Sequence, residues 1–274
     1  MAREHNLLLG HGETLTTHEL RKSGGGAKHY PYSFEEQKEK LSGDIKGMLQ
    51  EMKKVPPDAF PEKLAVASMT MHPDFLAKSY FPEKLMESFG FKAVGSRTVK
   101  NPLIRKFNNK GGEEITTERF FVAGNIASFE RWSVELPNWG GESGWQKEIL
   151  GIESLELFPA EDKLRSLPET DENTWFEVVL HSAKNPKIAA AFIRFASERQ
   201  IDVSEKLMRD HHGLTFVPIH MSKSKAKKLA QFSFLRVARQ LPHLRPFDPP
   251  PTRAASSFPI VLPDGGVLDR DLKQ

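Results

Sequence analysis

Cysteine is absent from this chain of 274 residues. The absence excludes disulfide bonds, a thiolate metal site and a cysteine nucleophile, and it is typical of proteins from a reducing compartment. Long apolar runs are also absent, because the three leucines at positions 7–9 form a run far shorter than a signal-peptide core or a membrane span. The sequence therefore predicts a cytoplasmic protein without an export signal or a membrane anchor.

A strong charge imbalance is lacking too. The 39 basic residues nearly match the 36 acidic ones, which leaves a formal net charge of +3. A dedicated nucleic-acid-binding protein usually concentrates many more basic residues on one face, so this class is disfavoured. The hydrophobic share of 38% is that of a globular protein, and the length exceeds that of a typical single domain. Two domains are therefore expected.

The first half of the chain carries the pattern of one α+β unit. A helix is predicted over residues 34–54, where Ser33 and Glu36 have the spacing of a capping box. Strands are predicted at 63–71, 91–99, 119–123 and 152–158, with a helix after the first and after the third. This β-α-β-β-α-β order is the split β-α-β arrangement of a ferredoxin-like unit.

The same order recurs from Trp175 onward. A strand begins there, and Ile188, Phe192 and Phe195 then fall on one face of a helix. A hairpin follows, with strands at 203–209 and 214–220 joined by four residues that end in Gly213. A helix over 225–232 and a strand over 235–239 complete the second unit. The predicted fold is therefore α+β, with two tandem ferredoxin-like units.

The chain divides into four predicted segments. Residues 1–60 form an arm and a helix, 61–165 an accessory domain, 166–247 the second ferredoxin-like unit, and 248–274 a proline-rich linker with the start of another domain. Three consecutive prolines at 249–251 indicate the linker. An apolar run resumes at Phe258 and stops soon afterwards, as expected if the chain ends inside a further domain.

Asp264 is the strongest candidate for a catalytic group. It ends the apolar run PIVLP and begins a Gly-Gly turn. A carboxylate in this position is a common way to hold a catalytic histidine by a hydrogen bond. An ordinary Asp-Gly turn is the alternative interpretation.

The segment IVLPDGGV resembles the first catalytic motif of the subtilisin-like serine proteases, in which a hydrophobic strand ends at the aspartate of the triad. Asp264 matches that aspartate. Four earlier segments are similar to the N-terminal extension of a bacterial branch of this family. They are LLLGHGETL at 7–15, KSGGGAKHYPYSFEE at 22–36, LAKSYFPEKL at 76–85 and FKAVGSRTV at 91–99.

The resemblance implies that the second unit is a prodomain, which assists folding of a protease domain, inhibits it and lays its C-terminal segment into the substrate cleft. That segment would be 241–252, and its candidate cleft residues are Leu241, Pro242, His243, Leu244, Arg245, Pro246 and Phe247. The family's histidine and serine motifs do not follow Asp264. This chain alone is therefore expected to be inactive, with a subtilisin-like catalytic domain as its partner.

Other motifs favour different functions less strongly. A glycine loop at 23–26 and a serine loop at 141–144 fail the phosphate-loop and nucleophile-elbow spacings. His211, His212 and His220 could meet across a hairpin, but the spacing of a metal site is absent, and neither a metal nor another cofactor is expected. Eight basic residues at 222–253 leave open a free-standing binding or regulatory adaptor, with nucleic acid among its candidate partners.

Overall fold

The computed structural model of the chain describes residues 30–101, 115–141, 144–181 and 185–241. Its helices are α1 (Phe34–Lys54), α2 (Glu83–Phe89), α3 (Ile126–Glu135), α4 (Ala160–Lys163), α5 (Pro186–Ser197) and α6 (Lys223–Leu229). Its strands are β1 (Leu64–Met71), β2 (Lys92–Asn101), β3 (Ile115–Asn125), β4 (Ile152–Leu157), β5 (Leu164–Arg165), β6 (Thr174–His181), β7 (Asp202–Val203), β8 (Arg209–His211), β9 (Leu214–Met221) and β10 (Leu235–Gln240). No helix within these ranges is both long and apolar enough to cross a membrane.

The first sheet has the strand order β2-β3-β1-β4, and all of its neighbouring strands are antiparallel. Helix α2 follows β1 and helix α3 follows β3, which is the connection order of a ferredoxin-like unit. Helix α2 ends where Gly90 adopts a φ of 69°, a left-handed conformation that glycine enters without a steric penalty. We call α1 to α3 with β1 to β4 the first unit.

The second sheet has the order β5-β10-β6-β9-β7, with β8 paired to β9. Strand β6 leads into α5, and α6 leads into β10, so the second β-α-β-β-α-β pass is also present. We call the segment from β6 to β10 the second unit. The chain is thus an α+β protein with two tandem ferredoxin-like units, as the sequence predicts.

Helix α1 covers one edge of the first sheet. Its predicted capping box is present, since the Ser33 hydroxyl accepts from the Glu36 amide and the Glu36 carboxylate accepts from the Ser33 amide. The next residue, Gln37, donates a hydrogen bond from its side chain to the Ile152 carbonyl oxygen. These contacts fix α1 across β4, so the helix belongs to the packing of the first unit.

The two units share part of one core. Phe192 and Phe195 are buried on α5, as predicted, and both rings contact Phe232. The same buried cluster includes residues of the first unit, among them Phe121 on β3 and Phe158 after β4. Because apolar surface from both units is buried together, we expect their stabilities to be coupled.

The predicted hairpin differs in detail from the structure. The strand expected at 203–209 is interrupted by a 3-10 turn over Glu205–Leu207, and β8 extends to His211. The connection therefore contains two residues, His212 and Gly213, rather than the four predicted. Both have positive φ, 46° and 83°, which is the conformation of a type I′ turn that matches the twist of the strands.

A short segment between the units was not predicted. Helix α4 and strand β5 follow β4 directly, and β5 pairs in parallel with β10 of the second sheet, Leu164 opposite Ala238. Two residues are too few for an alternating pattern to be visible in the sequence. This segment carries the chain from the first sheet to the second.

Candidate functional site

Most of the predicted site lies outside the described residues. Asp264 and cleft residues 242–247 are in that part of the chain, so their positions stay predictions. Leu241 is described: its amide donates to the Trp175 carbonyl oxygen at 2.8 Å, and 40% of the residue is exposed. The candidate cleft segment therefore leaves the second sheet beside Trp175.

An uncovered surface adjoins this point. On β6, Phe176 and Val178 point into the core, so the alternating positions Trp175 and Glu177 point to the opposite face. Trp175 is 44% exposed, and its ring lies 5.3 Å from the ring of His220 on β9. Beside them, the Arg239 guanidinium donates to the Glu177 carboxylate, with an Nε to Oε2 distance of 2.7 Å. We call these four side chains, Trp175, Glu177, His220 and Arg239, the open face.

The other end of the same sheet face is covered by the first unit. His181 is fully buried there, and its ring lies 4.7 Å from that of Phe121. Its Nδ1 is 3.2 Å from the Val94 carbonyl oxygen, which can only accept, so Nδ1 carries the hydrogen. Burial, with a further contribution from Arg236, lowers the pKa of His181 to about 3. This histidine is therefore neutral and structural at neutral pH.

Arginine side chains form hydrogen bonds between the two units and to the segment that links them. Arg236 of β10 donates to the Ser96 carbonyl oxygen at 3.0 Å, on the edge strand of the first sheet. In the segment that links the two sheets, the Asp162 carboxylate accepts hydrogen bonds from Arg97 at 3.1 Å and from Arg119 at 2.9 Å. The segment that links the sheets is thereby bound to the face of the first sheet that carries Phe121.

A cleft of about 510 Å³ lies between the units and is lined in part by α4. Lys163 lines it and is buried, and its Nζ donates to the carbonyl oxygens of Ala230 and Phe232, each at 3.0 Å. Burial lowers the pKa of Lys163 to about 7. The sequence offers no signal for this residue, because Lys163 sits in an ordinary acidic and basic stretch and its burial depends on the second unit.

The three candidate metal-binding histidines do not meet. His211 and His212 lie at the hairpin turn, with ring centroids 4.2 Å apart, beside a 410 Å³ pocket that Asp210 also lines. His220 lies near the opposite end of β9, across from Trp175. Over the described ranges, no three histidine, aspartate or glutamate side chains are grouped to hold a metal ion.

The described part of the basic region does not form a single surface. Lys227 and Lys228 are exposed on α6, whereas the Lys225 Nζ donates to the Gln200 carbonyl oxygen. Arg236 contacts the first unit, and Arg239 is paired with Glu177 on the open face. Binding of nucleic acid stays a prediction that these contacts do not favour.

Comparisons with known proteins find no matching family model and no matching curated protein. Among solved structures, the chain is similar to a proposed glycine cleavage system transcriptional repressor, with 14% identity, coverage of 58% of this chain and 80% of that chain, and a TM-score of 0.20. It is also similar to aspartokinase α and β subunits, with 12% identity, coverage of 63% and 93%, and a TM-score of 0.22. Structural similarities with TM-scores this low support no conclusion about function.

Proposed function

We propose that this chain is the non-catalytic N-terminal region of a subtilisin-like serine endopeptidase and that its second unit acts as a prodomain. In this role the unit assists folding of the protease domain and inhibits it, in the cytoplasm. The observation that carries the proposal is the open face, which lies directly beside the point where the candidate cleft segment leaves β10. The resemblance around Asp264 supports the same assignment.

The open face has the composition of a docking surface. Trp175 supplies a large ring that is almost half exposed, and Leu241 adds an exposed apolar side chain next to it. Aromatic anchors near the centre of an interface usually contribute most of the binding energy, and polar groups surround them. The ion pair between Glu177 and Arg239 provides such a polar border. We expect this surface to pack on the protease domain.

The direction of the chain suits insertion into a cleft. The Leu241 amide continues the antiparallel pairing of β10 with β6, so the chain is extended up to Leu241. An extended segment can add a strand to the edge of a partner through backbone hydrogen bonds. Residues 242–252 would bind the substrate cleft in this way, which blocks access to substrate.

The test is inhibition in trans by the full chain of 274 residues, because the second unit shares its core with the first. The full chain is titrated against a subtilisin-like protease domain from the same source. We expect inhibition, and we expect Trp175→Ala to weaken it about tenfold or more, as for an interface anchor. Val134→Ala removes a side chain that is 71% exposed on the first unit, so it is the matched control and should inhibit normally.

A second variant separates the cleft segment from the open face. The chain truncated after Leu241 keeps every described element, so its circular dichroism should be unchanged while its inhibition becomes weak. Full inhibition by this variant would exclude the cleft assignment. Absence of inhibition by the intact chain would favour the free-standing adaptor instead.

The chain itself should not cleave peptide or ester substrates. Acyl transfer by this family needs a nucleophile and a base, and Asp264 supplies neither. We expect no reaction with an active-site-directed serine hydrolase reagent. Labelling of the purified chain by such a reagent would show a catalytic site that the sequence motifs do not reveal.

A further inference from the structure

The cleft between the units has the volume and the mixed lining expected of a small-molecule site. One wall comes from the first unit, through Phe60 and Glu156, and from Ala160 on α4. The other wall comes from the turn after α6, including Ala230 and Gln231. Its volume of about 510 Å³ lies in the range of ligand sites, which is roughly 300 to 1,000 Å³. Both units are needed to form it.

Lys163 is the unusual group in this cleft. Its Nζ donates to the carbonyl oxygens of Ala230 and Phe232, and the Phe158 ring centroid lies 5.5 Å away. None of the carboxylates in the described ranges forms an ion pair with it, although buried lysines are normally paired. The two carbonyl groups accept both hydrogens of a neutral amine, so the nitrogen lone pair remains for another partner.

The environment favours the neutral amine. Burial lowers the pKa of Lys163 to about 7, so about half of the amine is neutral near pH 7. An exposed lysine with a pKa of about 10.4 is neutral in only about one molecule in a few thousand at this pH. A desolvated lysine without a carboxylate partner is the usual form of a lysine nucleophile.

We propose that Lys163 captures a small aldehyde or ketone in the cleft between the units and forms an imine with it. The nitrogen lone pair attacks the carbonyl carbon, a carbon–nitrogen bond forms, and one of the two amine hydrogens passes as a proton to the carbonyl oxygen, which becomes a hydroxyl group. The hydroxyl group then leaves with the second amine hydrogen as water, and a carbon–nitrogen double bond remains. No oxidant or reductant is required, and water reverses the reaction.

Glu156 lines the same cleft, and its Oε1 lies 3.3 Å from a guanidinium nitrogen of Arg119. Burial raises the pKa of its carboxyl group, and Arg119 opposes this shift. A carboxyl group beside the reacting atoms can pass a proton to the leaving hydroxyl group, so we assign proton transfer in this step to Glu156. This proposal does not rest on the protease assignment, because neither the open face nor residues 242–274 take part.

The experiment traps the imine by reduction. The intact chain is incubated with benzaldehyde and sodium cyanoborohydride near neutral pH, and each lysine is followed by peptide mass mapping. We expect Lys163 to be modified about tenfold faster or more than Lys227, an exposed lysine on α6, because of its larger neutral fraction. The Lys163→Met chain should lose the rapid modification, whereas the Lys227→Met chain should keep it.

A variant with a filled cleft tests whether the reaction occurs there. Ala160→Trp places a large ring in the cleft and should slow modification of Lys163 while that of Lys227 continues. Equal rates at Lys163 and Lys227 in the intact chain would overturn the proposal. Fast modification of Lys163 in a folded Ala160→Trp chain would also overturn it, since the aldehyde would then reach the amine by another route.

Discussion

The two units have the same order of strands and helices but expose different parts of their sheets. In the first unit, α1 covers the outer edge of β4 through Gln37 and Asp44, whose side chains bond the backbone of Ile152 and Leu155. The opposite edge, β2, receives Arg236 from the second unit at the Ser96 carbonyl oxygen. Side chains thus satisfy some of the backbone hydrogen-bonding groups at both edges of the first sheet.

The second unit has no equivalent of α1 among the described residues, and one end of its sheet face stays exposed at Trp175. The difference shows that a shared fold does not decide which surface is available for binding. Added elements decide it, since α1 and the inter-unit contacts cover the first sheet and leave the open face uncovered. We therefore propose that the first unit is a scaffold and that the second unit carries the binding surface.

The largest expected effect tests whether the two units unfold together. Phe192→Ala should cost about 3 to 5 kcal/mol of unfolding free energy through lost burial and a cavity. Because Phe121 of the first unit belongs to the same buried cluster, the first unit should lose stability as well. Urea denaturation followed by circular dichroism measures the total loss of unfolding free energy. Amide hydrogen exchange in β1 and β6 measures the loss of stability in each unit.

Exchange in β1 that is unaffected by Phe192→Ala would contradict the shared core. Val134→Ala serves as the control, since that side chain is mostly exposed and its removal should change little. If the units did unfold separately, the second unit could be studied as an independent prodomain.

Lys163 should make the stability of the joined units depend on pH. Its pKa is lowered to about 7 in the folded chain, while the unfolded lysine keeps a proton up to about pH 10. The unfolded state therefore binds more protons in this window, so stability should rise from about pH 7 upward, by about 2 kcal/mol over two pH units. Lys163→Met should remove this rise, as measured by urea denaturation at about pH 7 and pH 9.

A parallel pH dependence in the wild type and in Lys163→Met would show that the lysine is charged in the fold. His181 does not interfere, because its pKa is about 3 in the folded chain and about 6.5 in the unfolded chain, so its contribution to stability changes only below about pH 6.5.

A smaller effect is expected at the segment that links the sheets. Asp162→Asn removes the carboxylate shared by Arg97 and Arg119. The carboxylate is 42% exposed, so solvent screening limits the loss to about 1 kcal/mol. The loss should shrink at high salt. Thermal melts at low and high salt measure it, and a loss that salt leaves unchanged would point to packing instead of charge.

Much of the fold follows from local signals in the sequence. The capping box at Ser33 and Glu36 marks the start of α1, and Gly90 marks the end of α2. Alternation around Phe176 and Val178 identifies β6, and the spacing of Phe192 and Phe195 gives the buried face of α5. These signals depend only on near neighbours, so the order of both units is predictable.

The contacts between units are not predictable in this way. Strand β5 has two residues, and the burial of Lys163 and His181 depends on chain segments tens of residues away. The hairpin is shorter than the sequence predicts because His212 adopts a left-handed conformation, which is uncommon for a residue other than glycine. The open face is visible only once the packing of α1 and the second unit is known.

The smallest expected effect concerns Asp264. Asp264→Ala should leave the melting temperature of the chain unchanged, because the proposed function assigns this aspartate to catalysis in a protease domain and not to the packing of the described units. A melting temperature lowered by about 4 °C or more would mean that residues near 264 stabilise the folded units by about 1 kcal/mol.

Hydroxyl-radical footprinting tests most directly whether the second unit, rather than the first, binds the protease domain. Oxidation of exposed side chains is measured with and without a subtilisin-like protease domain from the same source. The account predicts that Trp175 and Leu241 become strongly protected while Val134 and Leu76, both exposed on the first unit, react as before. Protection of Val134 or Leu76, with Trp175 still fully reactive in the complex, would contradict it.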